Sequence, residues 1–300
     1  MFKPSAFIKT FLFSIIGILP VSFSNAYAAG PTSTEYGVVL NLSGKQRMLS
    51  QKMSKEVMLV ALGLDLEKNI TNLKATSTLF DKTLKGLRNG SAELRLPPTT
   101  SKRILRQLNK IDDLWGKFYP IIQGIISNKK VSRDQVATTA VNNLPLLKEM
   151  NKAVGLYEKD AKQGELKSAP GLAATLNLSG KQRMLTQKMS KEFLLVALGH
   201  EKESNQLNLL ETYTLFERTL KGLRDGDKTL GLPGTKSEAI RKQLAVVENL
   251  WANFKPVVSA ATDPTGTIST DSINKLAANN LPLLKEMNKA VGMYEKEAGK

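Results

Sequence analysis

The sequence contains a long internal repeat. The segment NLSGKQRMLSQKMSKE begins at Asn41 and returns at Asn177 as NLSGKQRMLTQKMSKE, with one Ser-to-Thr change in sixteen positions. A second segment, NNLPLLKEMNKAVG, is identical from Asn142 and from Asn279. The chain is therefore a tandem duplication whose copies have about 130 residues each, a length at which each copy can bury its own hydrophobic core.

Each copy has the periodicity of α-helices. Apolar residues recur at alternating steps of three and four, which places them on one face of a helix. One such stripe contains Ile104, Leu108, Ile111, Trp115, Phe118, Ile122 and Ile125. Turn-forming residues then divide the first copy into helices near 35–63, 66–89, 100–127 and 132–162, and the second copy repeats this plan.

This pattern predicts an all-α fold of two tandem up-down four-helix bundles. We expect the first bundle to occupy 29–163, a linker 164–171 and the second bundle 172–300. Side-by-side bundles with parallel first helices and bundles stacked end to end both remain open. Prolines inside the helical patterns predict kinks or local breaks at Pro120, Pro145, Pro256 and Pro282.

The N-terminal segment 1–28 has the features of a signal peptide. Lys3 and Lys9 precede a short apolar run, and Ala26-Tyr27-Ala28 fits a small-residue cleavage site. Cleavage after Ala28 predicts an exported, periplasmic or secreted protein, and the alternative is an uncleaved N-terminal membrane anchor. Removal of two lysines lowers the formal charge from +16 to about +14, so the mature chain stays basic.

The composition excludes several function classes. The chain has no cysteine and one histidine, and it shows neither a nucleophile with an adjacent base nor a glycine-rich phosphate loop. We therefore expect no enzyme, no cofactor and no metal site. Because the basic residues are scattered among 27 acidic ones and the protein is expected to be exported, nucleic acid is not an expected partner.

The repeated segment predicts a contact between the first helices of the two copies. Arg47 lies roughly 130° around the helix from the apolar stripe, so it points away from its own core. Gly44 beside it lets a second helix approach closely. If both first helices meet there, Arg47 faces Arg183 and the two positive charges repel each other. A small oxyanion between them would offset this repulsion, and its paired oxygens would match the paired N–H donors of each guanidinium group. The alternative is that Arg47 is an ordinary exposed arginine.

The motif NLSGKQRMLSQKM resembles the P-box of NarX-type nitrate and nitrite sensors and the first-helix motif of PilJ-type domains. The resemblance covers both copies and implies one anion held between two first helices by Arg47 and Arg183, with backbone near Gly44 and Gly180. At the end of the motif the family often has a second arginine, whereas this chain has Lys52 and Lys188. Lysine keeps the positive charge but lacks the planar set of N–H donors of arginine. The residues of the predicted site outside the arginines and glycines are Ser43, Ser179, Gln51, Gln187, Lys52, Lys188, Asn151 and Asn288.

The fourth helix of each copy is expected to contribute to this site. It runs antiparallel beside the first helix, which places Asn151 level with Arg47. Asn143 is ambiguous, since it is also a candidate cap for a helix that restarts at Leu144.

Two functions remain open at this stage. The first is an exported sensory module that binds a small oxyanion, with nitrate and nitrite as candidates, and acts with a membrane sensor or chemoreceptor. The second is a non-catalytic helical scaffold of the pilus or envelope without a small ligand. The sequence leaves open whether the pair of first helices forms within one chain or between the chains of a homodimer.

Overall fold

The computed structural model describes residues 30–300, so the predicted signal peptide lies outside the described residues. Over this range the chain forms eight α-helices and no β-strand, which confirms the all-α prediction. The predicted bounds of the first four helices lie within two residues of the observed ones. The helices are α1 (Ser33–Ala61), α2 (Leu66–Asn89), α3 (Lys102–Asn128), α4 (Arg133–Gln163), α5 (Leu172–Ala197), α6 (Lys202–Asp225), α7 (Glu238–Ala260) and α8 (Thr270–Glu297).

Local sequence signals explain where several helices begin and end. Thr32 precedes α1 and forms a capping box with Glu35, and Ser132 forms the same motif with Gln135 before α4. Gly90 follows α2 with a φ of 82°, a backbone conformation that side chains disfavour. These caps satisfy backbone groups that the helix ends would otherwise leave unpaired.

Aromatic side chains fill the centre of each bundle. The ring of Phe80 lies 4.4 Å from that of Trp115, and the equivalent rings of Phe216 and Trp251 are 4.7 Å apart. Both phenylalanines are fully buried, and the indole of Trp115 donates to Asp81 Oδ1 at 3.1 Å. The aromatic residues of the helical stripes are therefore core residues, and each indole N–H retains a polar partner.

The helices continue through their internal prolines, so the predicted local breaks are wrong, whereas the alternative of kinks at these prolines stays a prediction. Proline removes a backbone donor and leaves the carbonyl of residue i−4 without its helical partner. All four prolines lie on exposed faces, where water can solvate that carbonyl. They are Pro120 in α3, Pro145 in α4, Pro256 in α7 and Pro282 in α8.

The two bundles lie side by side, with α1 packed along α5. Gly44 of α1 meets Gly180 of α5, its counterpart in the repeat. Near the start of α1, Asn41 donates to Glu295 of α8, whereas Lys55, about one and a half turns before the end of α1, reaches Asn280. α8 therefore runs antiparallel to α1. It also runs antiparallel to α5, because Arg183 contacts Asn288 and Gln187 contacts Asn280, so α1 and α5 run in the same direction.

Within residues 30–300, none of the helices combines the length and the apolar composition that a membrane crossing requires.

We predict that Phe80→Ala lowers the free energy of unfolding by about 3–5 kcal/mol, because it removes a fully buried ring and leaves a cavity against Trp115. Chemical denaturation followed by circular dichroism measures this loss. Phe216→Ala is the matched variant in the second bundle and is expected to have the same effect. A loss below about 1 kcal/mol in either variant would contradict this description of the core.

Candidate functional site

The two bundles approach each other closely at Gly44 and Gly180. A Cβ atom on Gly44 would lie 3.6 Å from the Cα of Gly180, and a Cβ atom on Gly180 would lie 3.6 Å from the Cα of Gly44. The Gly44 Cβ position is also 3.4 Å from Nη2 of Arg47 and 3.6 Å from Nη2 of Arg183. The structure therefore brings both predicted arginines and both predicted glycines together, and we call this contact the glycine seam.

Each arginine crosses the glycine seam to the opposite helix. Arg47 Nη2 donates to the backbone carbonyl of Asn177 at 2.9 Å, and Arg183 Nη2 donates to that of Asn41 at 2.8 Å. These two asparagines open the repeated segment in the two copies. The reciprocal bonds give the seam a twofold pseudosymmetry and connect α1 with α5.

The other terminal nitrogen of each guanidinium binds within its own bundle. Arg47 Nη1 donates to Asn151 Oδ1 at 3.2 Å, and Arg183 Nη1 donates to Asn288 Oδ1 at 3.0 Å. The fourth helix of each bundle therefore places its asparagine level with the arginine, as expected from antiparallel packing. These bonds fix the orientation of the guanidinium plane.

The seam holds positive charge away from water. Arg47 and Arg183 are each 2% exposed, so Arg47 is not the ordinary exposed arginine of the alternative interpretation. Burial lowers the pKa of Arg47 to about 10, and burial together with the neighbouring charge of Arg47 lowers the pKa of Arg183 to about 9. In both guanidinium groups Nε is buried without a hydrogen-bond partner. Both side chains are thus charged at neutral pH at a cost in stability.

The carboxylates whose charges act on the arginines contact them only indirectly. Glu158 accepts a hydrogen bond from the side chain of Asn177, and Glu295 accepts one from that of Asn41. Their charges favour the protonated form of the arginines across that intervening amide. The four oxygens that accept directly from the two guanidinium groups belong to neutral amides.

Lys45 and Lys181, which the sequence reasoning missed, add to the positive charge. Burial lowers the pKa of each, and the second cause is the charge of the opposite arginine, Arg183 for Lys45 and Arg47 for Lys181. Each lysine directly follows a seam glycine in the sequence, and this position could have indicated that it lies near the seam.

Four predicted site residues make other contacts. Ser43 and Ser179 are buried, and their hydroxyls donate to the backbone carbonyls of Leu40 and Leu176 in their own helices. Lys52 and Lys188 form ion pairs with Glu56 and Glu192, four residues along the same helix. The structure therefore does not bring the two lysines to the arginines, because the local carboxylate one turn away holds each ammonium group.

Gln51 belongs to a second network, which lies nearer the C-terminal end of α1. Its amide donates to Asn143 Oδ1 at 2.7 Å, and Asn143 donates to the carbonyl of Ser50 at 2.9 Å. Asn143 is fully buried in the middle of α4, so its interpretation as a helix cap is wrong. The helix does not restart at Leu144 because α4 continues through Pro145.

The same network extends across the bundles through two lysines that sequence reasoning missed. Lys191 of α5 donates to Asn143 Oδ1 at 3.3 Å, and Lys55 of α1 donates to Asn280 Oδ1 at 2.9 Å. Asn280 also accepts from Gln187 at 2.9 Å. Asn143 and Asn280, the second asparagine of each repeated NNLPLLKEM segment, therefore each join the first helix of their own bundle to the first helix of the other.

Both bridging lysines are almost completely buried. Lys55 is 5% exposed and Lys191 is 3% exposed. Burial lowers the pKa of each to about 8, although the adjacent carboxylates of Glu56 and Glu192 oppose the shift. These ammonium groups therefore lose their protons at a lower pH than lysines in water.

Comparison with known proteins gives two findings. The family model PilJ, described as the N-terminal region of type IV pili methyl-accepting chemotaxis transducers, matches residues 32–144 and again 165–275. The chain is also similar to the methyl-accepting chemotaxis protein McpN of Pseudomonas aeruginosa, with 28% identity over 122 residues. That match covers 41% of this chain and 22% of the relative, so the matched part is less than a quarter of the relative's length.

We predict that the stability of the protein depends on the titration of Lys55 and Lys191. Their folded-state pKa of about 8 lies below the unfolded value, so above pH 8 the unfolded chain binds more protons and the free energy of unfolding rises with pH. The rise between pH 8 and pH 9 is expected to be on the order of 1 kcal/mol per lysine. Denaturant unfolding at each pH measures it. A Lys55→Met, Lys191→Met variant with an unchanged pH slope would contradict this assignment.

Proposed function

Because the chain belongs to the PilJ family, we propose that it is an exported sensory module that binds a small oxyanion at the glycine seam. Nitrate and nitrite are the candidate ligands. The anion would lie between α1 and α5 and contact Arg47 and Arg183. The proposal rests on one observation above all: two buried guanidinium groups approach the same pair of glycines and donate only to neutral oxygens.

The charge of the seam favours an anion. A buried charge without a counterion is destabilising, and here the charge of Arg47 further disfavours the charged form of Arg183. An anion between them would stabilise both protonated arginines. Its attraction to the two guanidinium groups would be stronger there than in water because the local dielectric constant is low. The additional positive charge of Lys45 and Lys181 acts in the same direction.

The geometry favours a small planar anion. A guanidinium group has five N–H donors in a fixed plane, and the amide contacts described above use one on each terminal nitrogen. Nε and the second hydrogen of each terminal nitrogen remain available for two adjacent oxygens of one ligand. Because the helices touch at Gly44 and Gly180, a bulky ligand would have to separate the bundles.

Signalling would require a membrane partner. A cleaved signal peptide would deliver the bundles to the periplasm or outside the cell, and the family and the matched relative belong to chemotaxis transducers. We therefore propose a membrane sensor or chemoreceptor as the partner that detects the bound state. Anion binding would act on it by changing the packing of the two bundles along the seam.

A scaffold without a small ligand is the second candidate function. It is favoured by the reciprocal bonds of Arg47 and Arg183, which already tie α1 to α5 through backbone carbonyls. On this interpretation the arginines hold the bundles together, and anion binding contributes nothing.

We predict that isothermal titration calorimetry at low salt detects nitrate or nitrite binding to the mature protein and that Gly44→Ala weakens it at least about tenfold. The added methyl group would make ordinary contacts of 3.4–3.6 Å with both guanidinium groups, so it fills the space of the anion without a severe clash. Gly155→Ala in α4 is the matched control, because a Cβ atom added there would have no neighbouring atom within 4 Å.

Two outcomes would reject the proposal in different ways. Absence of heat with nitrate, nitrite and sulfate would reject oxyanion binding and favour the scaffold. Binding that persists in an Arg47→Ala, Arg183→Ala variant would reject the glycine seam as the site. Circular dichroism of each variant shows whether the helices remain folded.

We further predict a stoichiometry of one anion per chain in a monomeric protein, because both helices of the glycine seam belong to the same chain. Sedimentation or light scattering in the presence of nitrate measures the mass, and calorimetry gives the number of sites. One anion per two chains would indicate a homodimer whose site forms between subunits.

A further inference from the structure

Two clefts flank the glycine seam, and each has walls from both bundles. Cleft 1 has a volume of about 230 Å³ and lies between α1 and α2 of the first bundle and α8 of the second. Cleft 2 has a volume of about 190 Å³ and lies between α5 and α6 of the second bundle and α4 of the first. Residues at equivalent positions of the repeat line both clefts, so they form a pseudosymmetric pair.

The floor of each cleft carries a buried lysine and a buried glutamate that are neighbours in the sequence. In cleft 1 these are Lys55 and Glu56, and in cleft 2 they are Lys191 and Glu192. All four residues are at most 5% exposed. The Lys-Glu pair is part of the repeated segment in both copies.

The glutamate of each pair has one oxygen in use and one free. Oε1 of Glu56 accepts from Lys52 and, at 3.2 Å, from the hydroxyl of Thr76, whereas Oε2 is buried without a hydrogen-bond partner. Glu192 has the same ion pair and the same free oxygen, with Oε1 paired to Lys188 and Oε2 unpartnered, but the hydroxyl of Thr212 donates to the carbonyl of Asn208 instead. A buried carboxylate oxygen without a donor is unfavourable, and a ligand that donates to it would remove that penalty.

The lysine of each pair also has unused hydrogen-bonding capacity. An ammonium group has three donors, and Lys55 uses one of them in its bond to Asn280 Oδ1. Lys191 has the equivalent bond to Asn143 Oδ1. Each cleft therefore presents spare ammonium donors for an anionic group next to a free carboxylate oxygen for a cationic group.

Buried and exposed apolar residues also line both clefts. Leu59 and the partly exposed Leu281 lie in cleft 1, while Leu195 and the exposed Val141 and Leu144 lie in cleft 2. Exposed apolar side chains beside a polar floor are typical of small-molecule sites, where a few polar groups orient the ligand and apolar contacts add affinity.

We propose that the two clefts bind a zwitterionic α-amino acid with a small apolar side chain. The ligand carboxylate binds the ammonium group of Lys55 or Lys191, and the ligand ammonium group donates to the free oxygen of Glu56 or Glu192. The apolar side chain packs against the leucines of the cleft. This site is separate from the glycine seam and does not depend on oxyanion binding.

Occupied clefts would hold the two bundles together. Lys55 belongs to α1 and its acceptor Asn280 to α8, so a ligand on Lys55 lies against both bundles. Asn280 in turn donates to the carbonyl of Thr186, whose hydroxyl donates to the carbonyl of Arg183. The cleft and the glycine seam therefore share a hydrogen-bonded path along α5.

Calorimetry with L-leucine tests the proposal through its stoichiometry. We expect two sites per chain in the native protein, one in Lys55→Met and none in Lys55→Met, Lys191→Met. The single variant is its own control, because cleft 2 remains intact. Failure of both L-leucine and L-alanine to bind, or two sites retained in the double variant, would overturn the proposal.

Partial ligands test the role of the glutamates. Acetate and ethylammonium each lack one charged group and are expected to bind at least about tenfold more weakly than L-leucine. Acetate binding as tight as that of L-leucine would overturn the zwitterion assignment.

If the methionine variants do not fold, the Glu56→Gln, Glu192→Gln variant tests the proposal in their place, because glutamine keeps the shape of the glutamate side chain. It is expected to weaken L-leucine binding about tenfold, and unchanged affinity would overturn the proposal.

Saturating nitrate separates this proposal from oxyanion binding at the glycine seam. We expect the number of L-leucine sites to stay at two per chain with nitrate present. Loss of L-leucine binding in saturating nitrate would show that the two ligands exclude each other, and it would overturn the proposal that the clefts bind independently of the glycine seam.

Discussion

The contact between Gly44 and Gly180 determines how the rest of the molecule is arranged. Without side chains at these positions α1 and α5 approach closely, and the arginine one turn further along each helix reaches the backbone of the other. The two helices run in the same direction, since Lys55 of α1 and Gln187 of α5, both on the C-terminal side of the seam glycines, meet at Asn280. That constraint places the bundles side by side and gives the chain its twofold pseudosymmetry.

This packing removes several charged side chains from water. Arg47 and Arg183 are enclosed because their helices meet, and Lys55 and Lys191 are enclosed because α8 and α4 cover them. All four have a lowered pKa, with burial as the main cause. A buried charge without a counterion destabilises the folded state, and groups with strongly shifted pKa values are often found at functional sites. These side chains are therefore candidates for ligand contacts.

The two proposals place anion binding and amino-acid binding at different parts of the one interface between the two bundles. The glycine seam lies on the pseudosymmetry axis and belongs equally to both bundles, whereas each cleft lies to one side of it. A ligand at either place contacts residues of both bundles. Ligand binding is therefore expected to change how the two bundles pack against each other, and the proposed membrane partner would respond to that change.

The sequence by itself determined the local structure. Periodicity and turn residues predicted the all-α fold and the helix bounds, and the spacing of Gly44, Arg47 and Asn151 predicted which residues share the seam. Each of these inferences needs only the geometry of one helix or of two neighbouring helices. The tertiary structure alone decided the rest. It buried Asn143 of α4 against the backbone of α1 and brought Lys55 of α1 to Asn280 of α8. Such contacts join residues up to 225 positions apart, so they depend on how the bundles pack and not on any local pattern.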